Sequence, residues 1–243
     1  MRKIDFLSVV IPAYNEAPRI GPTLKEVAAH LARQPYRWEI LVVDDGSRDD
    51  TAQKVEELMG EIPRLRLARH EMNQGKGAAV QTGMKATRGG TILLCDADAA
   101  TPFEELDRLL PELSGGTALV TGTRKSAASR VLVAQPWPRR TMSRAYQWIC
   151  QGVLGLNVSD VTCGFKLLSR EAADRIAPRM RIRRWSFDAE MHLIARIQGL
   201  TTVEVPIRWA DQRQTKVRLL KDAVFSFWEL LKIRRYAAQG AYR

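Results

Sequence analysis

The sequence predicts an α/β domain built on an open, mostly parallel sheet with helices on both faces. Three observations carry the prediction. Short apolar runs alternate four times with amphipathic helical stretches between residues 7 and 122. The runs are continuously apolar, which is the pattern of strands buried on both faces. Three of them end in polar clusters, at residues 14–16, 44–45 and 96–98. Ligands in such sheets bind outside the carboxyl ends of the strands, so the clusters mark one candidate site.

The elements follow in order. Leu7-Ser8-Val9-Val10-Ile11-Pro12 reads as a buried strand stopped by proline, with Ala13-Tyr14-Asn15-Glu16 as the loop at its end. Ile20, Leu24, Val27 and Leu31 recur at helical spacing. Residues 38–43 form the next strand, ending in Asp44-Asp45-Gly46-Ser47, where Ser47 suits a helix N-cap. A helix over 49–59 turns Val55, Leu58 and Met59 inward, and residues 64–68 make a weaker strand. Gly75-Lys76-Gly77 opens a helix that runs to residue 87, and strand 91–94 leads into Cys95-Asp96-Ala97-Asp98. A helix carrying Phe103, Leu106, Leu109 and Leu110 precedes a strand over 117–122. Between Arg124 and Pro138 the period is lost, and Pro136-Trp137-Pro138 marks a long loop. Residues 140–156 predict an amphipathic helix with Met142, Tyr146, Ile149 and Val153 on one face. Asp160-Val161-Thr162-Cys163-Gly164-Phe165-Lys166-Leu167 enters a strand. A helix over 187–198, a strand over 202–207 ended by Arg208-Trp209, and a helix over 217–235 close the chain. In that last helix Phe225 falls within the charged stripe of Arg218, Asp222, Glu229 and Lys232.

The 243 residues suffice for one large domain, and no apolar run approaches the ~20 residues that span a bilayer. The first strand begins by Leu7, so no secretory signal is expected before it. Cys95, Cys150 and Cys163 lack metal-ligand spacing and suit a core in a reducing compartment. The net charge of +11 is uneven: residues 1–120 carry 15 Lys+Arg against 18 Asp+Glu, and residues 121–243 carry 23 against 9. The second half therefore favours an anionic partner: nucleic acid, an anionic membrane surface or a phosphorylated substrate. A nucleic-acid platform is disfavoured, because aromatics do not alternate with the basic residues there.

Asp96-Ala97-Asp98, just past a strand tip, places two carboxylates near one hard cation, Mg²⁺ or Mn²⁺, which prefers oxygen ligands and commonly shares its site with substrate phosphates. The glycines around Lys76 permit close backbone approach at a helix N-terminus. The segment is not a P-loop, which needs glycine where His70 stands and Ser/Thr where Gly77 stands.

In this order, Pro12-Ala13-Tyr14-Asn15-Glu16, Asp44-Asp45-Gly46-Ser47, Gly75-Lys76-Gly77 and Asp96-Ala97-Asp98 resemble the GT-A glycosyltransferases of family 2. The segments 160–167 and Arg184-Trp185-Ser186-Phe187-Asp188-Ala189-Glu190 look like the polyprenyl-phosphate branch, closer to dolichyl-phosphate β-glucosyltransferases than to mannose synthases. The resemblance implies a single GT-A, Rossmann-like domain over 1–243, with a nucleotide-sugar half (1–122) and an acceptor half (123–243) rich in amphipathic helix. It implies inverting transfer of a hexose, glucose from UDP-glucose, to a polyprenyl phosphate. By the same resemblance Pro12, Ala13, Tyr14, Glu16, Asp44, Asp45 and Lys76 border the donor, together with Ala97. Asp96 and Asp98 hold the Mg²⁺ or Mn²⁺, and Ala100 stands where mannose synthases carry a third, amide ligand. Arg124, Arg140, Arg144, Arg213 and Lys216 are the candidate acceptor cations. Asp188 and Glu190 lie near the acceptor, and since residues two apart on a helix do not share a face, Asp188 is the one expected at the sugar. Arg124, Arg213 and Asp188 form the expected catalytic set.

The lipid acceptor implies a cytoplasmic protein peripherally bound at a membrane surface, with nucleotide sugar and polyprenyl phosphate as partners and no nucleic acid. A homo-oligomer and a membrane-protein partner are both compatible with this. The alternatives are mannosyl transfer from GDP-mannose, a family 2 transferase acting on a sugar hydroxyl with Asp188 as general base, and a non-enzymatic nucleic-acid binder.

Overall fold

The computed structural model describes residues 4–212 and 219–243, with side chains of the last helix from Phe225 onward. A seven-stranded sheet forms the centre. Its strands are β1 (Phe6–Ala13), β2 (Arg37–Asp44), β3 (Leu65–Arg69), β4 (Thr91–Leu94), β5 (Thr117–Thr123), β7 (Lys166–Ser169) and β8 (Thr201–Pro206). They lie in the order β3-β2-β1-β4-β7-β5-β8. A separate two-stranded sheet pairs β6 (Arg130–Val133) with β9 (Arg208–Ala210).

The continuous apolar runs divide by parity, because successive side chains leave opposite faces of a strand. On one face Leu7, Val9, Ile11, Ile40, Val42 and Leu93 bury against α1 (Ile20–Leu31), α2 (Thr51–Met59) and the short helical stretch that includes α4 (Leu106–Leu109). On the other face Val10, Leu41, Val43, Ile92 and Leu94 bury beneath α3 (Lys76–Ala86), α6 (Arg170–Ile176) and α7 (Phe187–Ile197). The last helix, α8 (Leu219–Ala238), packs on α5 (Trp137–Leu154), and its Leu230 and Ile233 join this second core.

β1, β2, β3 and β4 are mutually parallel, so the chain ends of β1, β2 and β4 share one edge of the sheet. β7 is antiparallel to both β4 and β5. Its first residue, Lys166, therefore pairs with Leu94 and Thr121 at the carboxyl ends of those strands. This inversion carries segment 160–166 to the same edge as the three polar clusters. The aperiodic stretch after Arg124 contains β6 and is shorter than the expected loop, since α5 begins at Trp137 rather than 140. Ser47 does not cap α2, which starts at Thr51; its Oγ instead accepts from Asn15 N at 2.9 Å and joins the loops after β1 and β2. All three cysteines are buried free thiols. Among the described residues no helix is long and apolar enough to cross a membrane.

His192, on α7, is buried, and among the described residues neither ring nitrogen has a hydrogen-bond partner. Burial and the nearby Lys166 ammonium push its pKa down to about 3. The unfolded chain therefore binds a proton below pH ~6.5 that the native protein refuses. Stability should be fully present above that pH and fall by ~1.4 kcal/mol per pH unit toward the folded value. Denaturant titrations from pH 7 to pH 4 should show this slope reduced in His192→Leu.

Candidate active site

The edge shared by β1, β2 and β4 opens into a cavity of about 740 Å³. Pro12, Ala13, Tyr14 and Glu16 line it from the end of β1. Glu16 N donates to Thr51 Oγ1 at 2.7 Å and Arg48 N to Asn15 Oδ1 at 2.8 Å, which fixes the β1 loop against the β2 loop.

The adjacent aspartates after β2 have different surroundings. Asp45 is buried, and its carboxylate accepts from His70 Nδ1 (2.7 Å), Asn73 Nδ2 (2.9 Å), Gln74 N (2.9 Å) and Gly75 N (2.8 Å). These contacts occupy its lone-pair sites and shape the 70–75 loop, and the residue itself lines the cavity. Asp44 is fully buried; Oδ1 accepts from Ser47 N (3.2 Å), while Oδ2 has no hydrogen bond among the described residues and lies 3.5 Å from Arg69 Nε as an ion pair. Asp44 thus retains an acceptor at this end of the sheet.

Lys76 begins α3 between two glycines. A Cβ on Gly75 (φ 105°) would fall 2.4 Å from Arg183 O, and one on Gly77 2.5 Å from Ile182 O. Ala78 N donates to the same Arg183 carbonyl at 3.1 Å. The glycines therefore let the loop press on segment 181–184, which comes from the other half of the chain. That segment is held in turn by Glu190, whose carboxylate accepts from Arg181 N (2.9 Å), Ile182 N (2.9 Å) and Tyr242 Oη (2.6 Å). Glu190 is fully buried in this tether and does not face the cavity, so its expected place at the acceptor is corrected.

Lys76 Nζ reaches Asp96 Oδ1 at 2.6 Å. Burial opposes ionisation of Asp96, but the Lys76 ammonium outweighs it and holds the carboxyl below the usual range. Asp98 is shifted upward, by burial and then by the Asp96 charge. Among the described residues no group of three or more His, Cys, Asp or Glu is arranged around one metal position. A half-buried pair of carboxylates whose charges oppose each other fits a hard divalent cation, with non-protein oxygens completing its shell. Behind the pair lies Gly164, where a Cβ would stand 2.1 Å from Asp96 Oδ2.

Arg124 follows β5 and lines the cavity. Its Nε and Nη2 form a fork on Asp160 (2.7 and 2.8 Å), and Nη2 also donates to Thr162 Oγ1 (3.0 Å). Its guanidinium lies 5.2 Å from the Trp209 ring. Burial acts to raise Asp160, but this arginine brings it down to about 2. The Nη1 edge alone of Arg124 is left for a ligand. Asp188 also lines the cavity. Burial raises its pKa against the pull of Lys166, whose Nζ lies 2.5 Å from Asp188 Oδ1. Lys166 donates as well to the carbonyls of Val161 (3.3 Å) and Cys163, so one buried ammonium ties the 160–166 turn to α7.

The remaining cations differ from expectation. Arg140 and Arg144 are exposed on α5 and do not line the cavity. Arg139, paired with Asp211 at 3.1 Å, lines it instead, as do Arg184 and Arg19. Neighbouring residues on a helix differ by ~100° in direction, so with α5 packed by Met142, Tyr146 and Ile149 toward the cavity, Arg139 faces it and Arg140 does not. Arg213 and Lys216 lie outside the described residues. The wall opposite the donor loops is apolar: Met142, Tyr146 and Ile149 from α5, Phe227 and Leu230 from α8.

The profile of glycosyl transferase family 2 matches residues 8–177. A dolichyl-phosphate beta-glucosyltransferase of Trichomonas vaginalis is 37% identical over 98% of this chain and 73% of its own length. The mouse protein of that name is 31% identical over 98% of this chain and 77% of its own. In fold, the chain is similar to glucosyl-3-phosphoglycerate synthase from Mycobacterium tuberculosis, solved with Mn²⁺ and UDP-glucose. That likeness has a TM-score of 0.69 at 21% identity and covers 95% of this chain and 79% of the other.

Proposed function

This chain belongs to glycosyl transferase family 2, and on that premise we propose that it moves glucose from UDP-glucose to a polyprenyl phosphate with inversion at the anomeric carbon. The observation that carries the reading is one cavity with two opposite charge sets and an apolar wall. Asp96 and Asp98 line it together with Arg124, Arg139 and Arg184, and the α5–α8 face supplies a surface for a hydrocarbon chain. The relatives named above act, by their names, on dolichyl phosphate.

The chemistry accounts for the arginines. A lipid phosphate oxygen is ionised near pH 7 and needs no strong base to attack. It has to approach an anionic diphosphate, and two like charges ~5 Å apart repel by ~3 kcal/mol at an effective dielectric of 20. The arginines offset that repulsion. The phosphate oxygen forms the new bond to the anomeric carbon, the bond from that carbon to the diphosphate breaks, and UDP leaves. Asp96 and Asp98 would hold a divalent cation, Mg²⁺ or Mn²⁺, which would supply charge neutralisation for the diphosphate. Asp44, fully buried and outside the cavity lining, supports the loop after β2 through its Ser47 N contact. Asp188 has Oδ1 committed to Lys166, which leaves Oδ2 to orient a sugar hydroxyl or the acceptor. The lipid places the protein peripherally at a membrane surface.

Arg184→Ala should raise the acceptor KM about tenfold, the loss of one charge-assisted contact of ~1.5 kcal/mol. Calorimetric donor affinity should move less than about twofold. Arg144→Ala, on the exposed face of α5, should leave both unchanged. Equal effects of the two substitutions on acceptor KM would contradict the assignment of the cavity cations.

A further inference from the structure

We propose that the groove between segment 181–184 and the outer side of α8 is a second anion site, which seats the headgroup of an anionic phospholipid and moors the protein beside the acceptor cavity. The proposal rests on the lipid-acceptor reading and gives it a surface.

The groove, of about 670 Å³, has a cationic and an aromatic component. Arg181, Arg183, Arg184 and Lys232 line it with one acid, Glu229, whose Oε2 already accepts from Ser186 N at 3.1 Å. Phe225 and Trp228 line it too, although they are 52% and 60% exposed, and Tyr236 lies under Arg181 with its ring centre 5.4 Å from the guanidinium carbon. Phe225 is the residue that sits oddly in the charged stripe of the last helix. It is not isolated: it belongs with Trp228 to an aromatic patch beside the arginines.

A soluble anion has no use for exposed phenylalanine and tryptophan, and an apolar partner has no use for four cations. The interface of an anionic bilayer matches both, since aromatic rings settle at headgroup level and each Lys or Arg gains from the surface potential. Continuity with the cavity supports the same occupant. Arg184 lines both spaces, and α8 contributes to both, with Phe227 and Leu230 on the cavity side and Phe225 and Trp228 on the groove side. Phe227 (41% exposed) and Trp185 (39%) extend the aromatic rim from the groove to the cavity mouth. A lipid phosphate held in the groove would therefore set the bilayer against the opening that receives the prenyl chain.

The test is vesicle flotation of the full chain, with phosphatidylcholine alone and with phosphatidylserine added. The wild type should partition preferentially onto the anionic vesicles and be released as salt rises. Lys232→Glu and Trp228→Ser should each weaken that partition about tenfold, with melting temperatures kept and transfer to a short, water-soluble prenyl phosphate within about twofold of wild type. Equal binding to both vesicle types, or unchanged partition in both variants, overturns the proposal. So does retention of an oligonucleotide at physiological salt that the same substitutions abolish, which would mark the groove as a nucleic-acid site. Transfer to the soluble acceptor is read separately. If it is absent while vesicle binding still depends on Lys232 and Trp228, the glucosyl-transfer reading fails and the groove stands.

Discussion

Asp98→Ala is expected to lower kcat/KM at least ~100-fold with Mn²⁺ or Mg²⁺ present, while the protein stays folded. Asp98 lies in a loop beyond β4, and its only described hydrogen bond in the protein is from Ala100 N at 3.1 Å. Little of the fold rests on it. Asp96 would be the only carboxylate left for the cation, and Lys76 already competes for it at 2.6 Å. Removal of the second ligand thus shifts Asp96 toward its lysine and away from a metal. Calorimetry with UDP should show that Mn²⁺ strengthens nucleotide binding in the wild type and not in the variant. Near-wild-type turnover at saturating UDP-glucose would contradict the cation site.

Gly164→Ala should cost on the order of 100-fold in kcat, since displacement of a reacting constellation by ~1 Å can carry a loss of that size. The added methyl would stand 2.1 Å from Asp96 Oδ2 and 2.6 Å from Cγ, so the carboxylate has to swing aside. The substitution needs no change in backbone, because Gly164 is not among the residues with positive φ. The expected signature is weakened Mn²⁺-dependent UDP binding with a largely preserved melting temperature. A variant with normal metal dependence would show that Asp96 has another place to go.

Gly164 also shows where sequence reasoning reaches its limit. The donor side was legible because each of its features is local: an apolar run, then a carboxylate or a glycine at the strand end. β1, β2 and β4 are parallel neighbours, so three local readings fall on one edge. Segment 160–166 was visible as a motif, yet its role depends on β7 running antiparallel between β4 and β5, a long-range choice that periodicity does not encode. The same holds for Asp45 and Glu190. The family resemblance sets both beside ligands, and both carboxylates are occupied by the protein's own N–H and O–H donors. The tether from Tyr242 through Glu190 to the Lys76 loop joins residues more than 50 positions apart, and no local pattern announces it. Arg139 and Arg184 were missed for a plainer reason: on a helix or loop rich in arginine, which one faces inward is set by packing.

The most direct measurement is the fate of labelled sugar offered as UDP-glucose with Mn²⁺ to three acceptors in parallel: a short polyprenyl phosphate, 3-phosphoglycerate and a free hexose. GDP-mannose serves as the competing donor. The account predicts that glucose passes to the polyprenyl phosphate and that the product is the β-linked glucosyl phosphate, with the other acceptors and the mannose donor far slower. Preferred glucosylation of 3-phosphoglycerate or of a sugar hydroxyl, or an α-linked lipid product, would contradict it.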